Sequence, residues 1–253
     1  MKGIATMMTF CVLSASALAA CQSSRVPQTS LVQPSAAPAE RGISAPTPIV
    51  LAEGVLPPAP IGQRAWVADE VTLGQQRAVT HRHEGAFVYA PVTPSRLTVA
   101  GRTRTLRPGE AVFVGDNVQH THDVTCMVPS DCRDSFWEIR LAQPGAPPPA
   151  GDDQTRRVFV SPTFNAFSAD AAARVRLELV QIPPGAVVGL SGSDTRYLYI
   201  PRNVPGNDVA STALSGPDRL VAGEGLLVLP QAPVTASNHG RAPVAVLALR
   251  TAH

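Results

Sequence analysis

Four of the six histidines in this 253-residue chain stand in two short runs, His81-Arg82-His83 and His120-Thr121-His122. Each run lies in a stretch that reads as β-strand, where residues i and i+2 project from the same face. Each pair therefore aims both imidazoles one way, and two such pairs brought together could hold a metal ion. Asp123 stands where it could orient His122 from behind. Imidazole donors suit Zn, Fe, Mn, Ni or Cu, and by the Irving–Williams order affinity alone does not choose among them.

Composition removes other chemistries. Lys2 is the only lysine among 21 Lys and Arg, and it lies in the N-terminal leader, so no lysine is left for a Schiff base or a pyridoxal-phosphate anchor. The basic residues nearly balance 19 Asp and Glu without clustering, which gives no reason to expect a nucleic-acid partner.

The elements that must position the histidines read as β throughout. Candidate strands are Phe87 to Ala90, Arg96 to Ala100, Arg102 to Leu106, Ala111 to Val114, His120 to Thr125 and Ser135 to Leu141, separated by Gly, Pro and Asp-Asn signals. The Ala-rich Ser168 to Arg174 is the one run that suits a turn or two of helix. Short strands at regular spacing indicate a sandwich or barrel.

An internal repeat organises them. The run from His81 to Pro91 aligns without gaps on Ser191 to Pro201, an offset of 110, and Leu106, Gly109, Glu110 and Val114 match Leu220, Gly223, Glu224 and Val228 at an offset of 114. The folded region is therefore expected to be a duplicated β module, with its boundary in the proline cluster between Gln143 and Asp153. In this alignment His81, His83 and His120 become Ser191, Ser193 and Val234, so the second module lacks the histidine chemistry. Glu110, repeated as Glu224 after a glycine, reads as a turn residue.

With these residues in hand, the chain resembles the cupin superfamily. His81-x-His83 fits the start of the first cupin motif, and Gly109, Gly115, Asn117 and His120 keep the spacing of the second, with Gly115 in its proline place and Asn117 in its second glycine place. The resemblance, from about Ile49 to His253, implies an all-β chain of two tandem cupin-type jelly-roll (double-stranded β-helix) barrels. Residues 49–150 would form the first module and 151–253 a degenerate second one. It also implies His81, His83 and His120 as ligands of one divalent transition metal. The family's glutamate would fall at or near Ala86, so His122, or Glu84 in the turn after His83, is expected to complete the set. The leading expectation is a metal-dependent enzyme of dioxygenase, isomerase or hydrolase type acting on a small organic molecule. The alternative is a non-catalytic small-ligand-binding or scaffold protein of the cell envelope, and either would be a monomer or a homodimer.

The N-terminus carries its own signal. Lys2, an apolar run from Ile4 to Leu13, and Leu18-Ala19-Ala20-Cys21 resemble a bacterial lipoprotein signal, which implies removal of residues 1–20 and a lipid anchor on Cys21. Gln22, in place of aspartate, points to the outer membrane facing the periplasm. Residues 21–48, rich in Pro, Ser and Ala, read as a flexible tether. In that oxidising compartment Cys126 and Cys132 are expected to form a disulfide across a short loop after the second histidine run.

Overall fold

The computed structural model describes residues 30–31, 47–74, 78–123, 134–148, 154–167, 171–202, 207, 213–215 and 220–252. Within them the chain forms β1 (Ser30–Leu31), β2 (Ile49–Leu56), β3 (Gln63–Leu73), β4 (Ala78–His81), β5 (Ala86–Tyr89), β6 (Ser95–Val99), β7 (Arg102–Leu106), β8 (Ala111–Val114), β9 (His120–Asp123) and β10 (Asp134–Ala142). The second half continues with β11 (Thr155–Val160), β12 (Phe164–Asn165), β13 (Ala173–Ile182), β14 (Val187–Gly189), β15 (Thr195–Tyr199), β16 (Ala213–Ser215), β17 (Leu220–Val221), β18 (Gly225–Val228), β19 (Thr235–Asn238) and β20 (Val244–Ala252). There is no helix among the described residues. Ala173 and Arg174, expected at the end of a helical turn, instead open β13, where they pair with Leu56 and Val55.

Each half is a jelly roll of two sheets. In the first, the order β11-β3-β10-β5-β8 faces β4-β9-β6-β7, and in the second β1-β18-β15-β20-β13-β2 faces β14-β19-β16-β17. The long pairs β3–β10 and β13–β20 form the backbone of the larger sheets, running in register from Leu73↔Asp134 to Ala65↔Ala142 and from Arg174↔Ala252 to Ile182↔Val244.

Alternation along these strands separates the cores. One face of β10 sends Trp137, Ile139 and Leu141 toward Tyr197, Tyr199, Leu247 and Leu249 of the second half, so the two larger sheets pack against each other. The opposite faces line the barrels, with Val71, Leu97, Leu106 and Phe136 in the first and Ile182, Leu198, Ile200 and Val246 in the second. Trp66, Tyr89, Tyr197 and Phe87 are among the largest fully buried side chains. Burial of each such side chain contributes roughly 2–3 kcal/mol against leaving it exposed.

The repeat persists into backbone detail. Gly109 (φ 85°) and Gly223 (φ 91°) occupy the same left-handed turn position. Their amides donate to the carbonyls of Ala90 and Ile200 at 2.7 and 2.6 Å. The carboxylates of Glu110 and Glu224 each accept from the amide three residues earlier, Arg107 and Val221, at 3.0 Å. Both glutamates are thus turn residues. Asn117 (φ 54°) matches Gln231 (φ 61°), which explains the glycine of the cupin motif at this place: the backbone there is left-handed.

Two strands cross between the halves. β2 precedes β3 in the chain but pairs with β13 of the second barrel, while β11 pairs with β3 of the first. Gly54 permits this docking, since a Cβ there would lie 2.1 Å from the Phe113 ring.

Candidate metal centre

The histidines meet inside the first barrel because β4 and β9 are neighbours in register. His81 lies directly opposite His120, and Val79 opposite His122. The cross-strand pair brings the Nε2 atoms of His81 and His120 to 2.9 Å. From the facing sheet, β10 supplies Glu138, whose Oε1 stands 2.9 Å from His81 Nε2, 3.5 Å from His122 Nε2 and 3.6 Å from His83 Nε2. Donor atoms of His81, His120, His122 and Glu138 all lie within 4.8 Å of one another.

Each ligand is oriented by its surroundings. His120 Nδ1 lies 3.0 Å from the Val118 carbonyl, which can only accept, so the proton sits on Nδ1 and Nε2 presents its lone pair to the cluster. His122 stacks on Phe136, 3.8 Å between ring centroids and 8° from parallel. Phe136 is two residues before Glu138 and shares its face of β10. His83 has left the strand, and its Nδ1 is committed to the Glu84 carbonyl at 2.5 Å, leaving Nε2 facing Glu138.

Burial makes the cluster electrostatically demanding. His120 is 1% exposed, and His122 and Glu138 0%. Both ring nitrogens of His122, both carboxylate oxygens of Glu138 and Nε2 of His83 are buried with no well-aligned hydrogen-bond partner. Burial pushes His120 down to about 4 and also lowers His122. Burial opposes ionisation of Glu138, but contacts from His122, His81 and His83 outweigh it and hold the carboxyl well below the usual range. Burial likewise pulls His83 down, yet Glu138 and the Glu84 carbonyl outweigh it and leave His83 above its ordinary value. Three imidazoles and one carboxylate gathered on a barrel wall, three of the four buried, are a donor set that fits a divalent transition metal.

The structure thus gathers His81, His120 and His122 with a carboxylate and sets His83 at the rim. Glu84, the acid adjacent in sequence, is exposed and takes part only through its backbone carbonyl. Glu138, not Glu84 or the position of Ala86, supplies the carboxylate. Asp123 ends β9 opposite Ala78 and lies outside the donor set. Glu138 carried one legible signal, an acid directly between the apolar Trp137 and Ile139 in the middle of a strand, where an ionisable group is rare unless paired. Cys21, Cys126 and Cys132 lie outside the described residues.

In the second barrel other residues occupy the corresponding positions. Ser191 Oγ accepts from the Val234 amide at 2.9 Å where the first barrel has His81 and His120. Glu138 pairs with Val88, and in the corresponding register Leu198 pairs with Ala248, so the carboxylate position is an alanine.

No family model matches the chain, and no curated protein matches it. Among solved structures, it is similar to AerE from Microcystis aeruginosa, at 12% identity and TM-score 0.48, over 83% of this chain and 98% of that one. It is also similar to oxalate decarboxylase from Lactobacillus farciminis, in a formate complex, at 12% identity and TM-score 0.49, over 74% and 77%. Salicylate 1,2-dioxygenase from Pseudaminobacter salicylatoxidans aligns at 12% identity and TM-score 0.45, over 74% and 71%.

Proposed function

We propose that the chain binds one divalent transition-metal ion between the sheets of its first barrel and acts there as a metal-dependent enzyme on a small organic molecule. The observation that carries this reading is the set of buried donor atoms on His122 and Glu138 that converge on one another without a well-aligned hydrogen bond. Each such group costs roughly 1–3 kcal/mol if left unsatisfied, and a fold keeps several in one place only when something satisfies them. His81, His120, His122 and Glu138 would hold the ion. When bound, it would polarise a carbonyl or activate water at an open coordination position.

The chain's own groups set the rest. The Val118 carbonyl and the Phe136 ring fix two imidazoles before any ion arrives, so binding requires little rearrangement. His83 borders a cavity of about 550 Å³ at the barrel mouth, together with Glu84, Arg140 and Gln143, and the small molecule is assigned to that cavity. With Nδ1 committed to the Glu84 carbonyl, Nε2 is the atom at which His83 gains or loses its proton, beside the Glu138 carboxylate.

The proposal extends to the whole chain: a first module over residues 49–150 carrying the metal, a second over 151–253 without it, a Cys126–Cys132 disulfide, and a lipid anchor at Cys21 placing the protein at the outer membrane facing the periplasm. The sequence Leu18-Ala19-Ala20-Cys21 supports the anchor.

The test is elemental analysis of the purified full chain by plasma mass spectrometry, before and after chelation and reloading. About one equivalent of a transition metal, lost from the His120→Ala and His122→Ala variants, is expected. No metal after reconstitution refutes the centre. A bound ion with no exchangeable water in relaxation measurements would instead assign a closed, non-catalytic site in a ligand-binding protein.

A further inference from the structure

The two ends of the second barrel differ in charge. At the end that carries Ser191, Ser193 and Val234, where the first barrel has its histidines, arginines are paired with acids: Arg250 with Glu178 and Asp194, and Arg176 with Glu53. The opposite end is built from the turns 183–186, 201–202, 222–224 and 239–243. Asn238 ties two of them together, its side-chain NH₂ donating to the Ile182 and Ala242 carbonyls at 2.8 Å. Arg202 lies over the 222–224 turn, its Nε donating to the Ala222 carbonyl at 3.2 Å. Arg202, His239 and Arg241 are exposed at this end, and none is in an ion pair among the described residues. Glu224, the one acid described there, accepts from the Val221 amide inside its own turn. Pro183, Pro184 and Pro243 are exposed beside them. This end is therefore cationic, and small uncharged residues fill the space between its charges.

The N-terminal segment arrives at the same end. Within the stretch expected to be a tether, Ser30 and Leu31 form β1 and pair in parallel with Leu226 and Leu227, covering the edge that β18 would otherwise present. Parallel pairing fixes the direction of the chain. The residues before Ser30 come from the Gly225 end of β18, beside the 222–224 turn, where Gly225 pairs with Tyr199. Cys21 stands nine positions before Ser30, which gives it a reach of at most about 30 Å. A module of about 100 residues is itself about 30 Å across. For the Ser191 end to face a membrane that holds Cys21, those nine residues would have to run fully extended along the whole barrel. For the 222–224 end to face it, they need no such extension.

We propose that this end of the second barrel is the surface that rests on the membrane, with Arg202 and Arg241 on the phosphates of an anionic phospholipid bilayer. The inference rests on the lipid anchor at Cys21 and adds an orientation to it. Each basic residue close to an anionic surface raises affinity about fivefold. Two do not hold a free protein there, but they orient one that an anchor already keeps at high local concentration.

The test uses the full chain, with lipidation of Cys21 checked by intact mass, on vesicles of phosphatidylcholine and phosphatidylglycerol that carry a dansyl-headgroup lipid. A tryptophan is introduced at the proposed surface, Ala242→Trp, or at the opposite end, Ser193→Trp, both exposed positions, and energy transfer to dansyl is read above the background of Trp66 and Trp137. Transfer from Ala242→Trp should exceed that from Ser193→Trp severalfold. Adding Arg202→Gln and Arg241→Gln should shift the orienting equilibrium roughly 30-fold and narrow the difference. High salt should narrow it too, because exposed charges are screened. Ser30→Pro with Leu31→Pro, which removes the amides of β1 and lengthens the free tether, should narrow it while the chain still floats with the vesicles. Equal or reversed transfer in the lipidated chain, or a difference indifferent to both arginines and salt, would overturn this surface and leave the anchor standing. A chain whose mass shows no diacylglycerol on Cys21 would overturn both.

Discussion

Replacing Glu138 with glutamine keeps the side-chain volume and removes the one anionic donor from a four-donor set that is otherwise neutral imidazole. Changing an outer partner of a metal ligand typically costs 10–100-fold in affinity, so loss of a charged ligand should reach at least the upper figure, about 100-fold or ~2.7 kcal/mol. At a free metal concentration about 100 times the wild-type Kd, binding stabilises the native state by ~2.7 kcal/mol; for the variant the same concentration only equals its Kd and gives ~0.4 kcal/mol. For a folded region of this size that is a Tm rise of roughly 5–10 °C in wild type against about 1 °C in the variant. Without metal the variant should also be the less stable of the two at neutral pH, because the contacts with His122, His81 and His83 that hold the Glu138 carboxyl well below its usual range stabilise its ionised form in the fold. Scanning calorimetry of the chelated protein, titrated with Zn²⁺ and Mn²⁺, reads both effects. Equal metal-dependent shifts in Glu138→Gln and wild type would refute the carboxylate as a ligand.

Three further outcomes are expected. In the chelated protein, stability should fall as pH drops from about 6.5 toward 4.5: His120, held by burial near 4, stays neutral in the fold while the unfolded chain takes up its proton, a term of ~3 kcal/mol at full titration. His122 acts in the same direction, the raised His83 opposes them, and the lowered Glu138 adds a loss only below 4.5; urea midpoints that do not fall between pH 7 and 4.5 would refute this balance. Asp69→Asn should destabilise by about 3–5 kcal/mol, since Asp69 is fully buried between Arg140 and Arg157, whereas Glu70→Gln at the more exposed Arg156 pair should cost under about 1 kcal/mol in the same denaturant titration. Gly54→Ala should cost roughly 1–3 kcal/mol by driving a Cβ into Phe113, read as a lower Tm, while Gly74→Ala, with open space around it, should not.

What the sequence made legible follows from the range of each signal. The six strands anticipated around the histidines match β5 to β10 to within about two residues, because alternation and turn residues act over a few positions. The repeat was equally legible, since the Gly-Glu turns at Gly109 and Gly223 are written locally twice. Glu138 was harder to assign because it reaches the histidines from the opposite sheet, and no spacing rule within one strand connects it to β4 or β9. Likewise, that Val55 should pair with Arg174 is a matter of tertiary pairing over more than a hundred residues, which no local signal near Ile49 records.

The reciprocal exchange of β2 and β11 bears on the chain's history. Once each half of a duplicated ancestor lends a strand to its twin, the halves stop being separable units of inheritance. A deletion that removes the ligand-free half would also strip β11 from the sheet that carries Glu138, exposing the edge of β3. The second barrel can therefore carry Ser191, Val234 and Ala248 where the first has His81, His120 and Glu138, and still be needed, because its strand completes the sheet that holds Glu138. Side chains at those inward positions can change without breaking a sheet, whereas the strands that carry them cannot be removed without unpairing the first barrel.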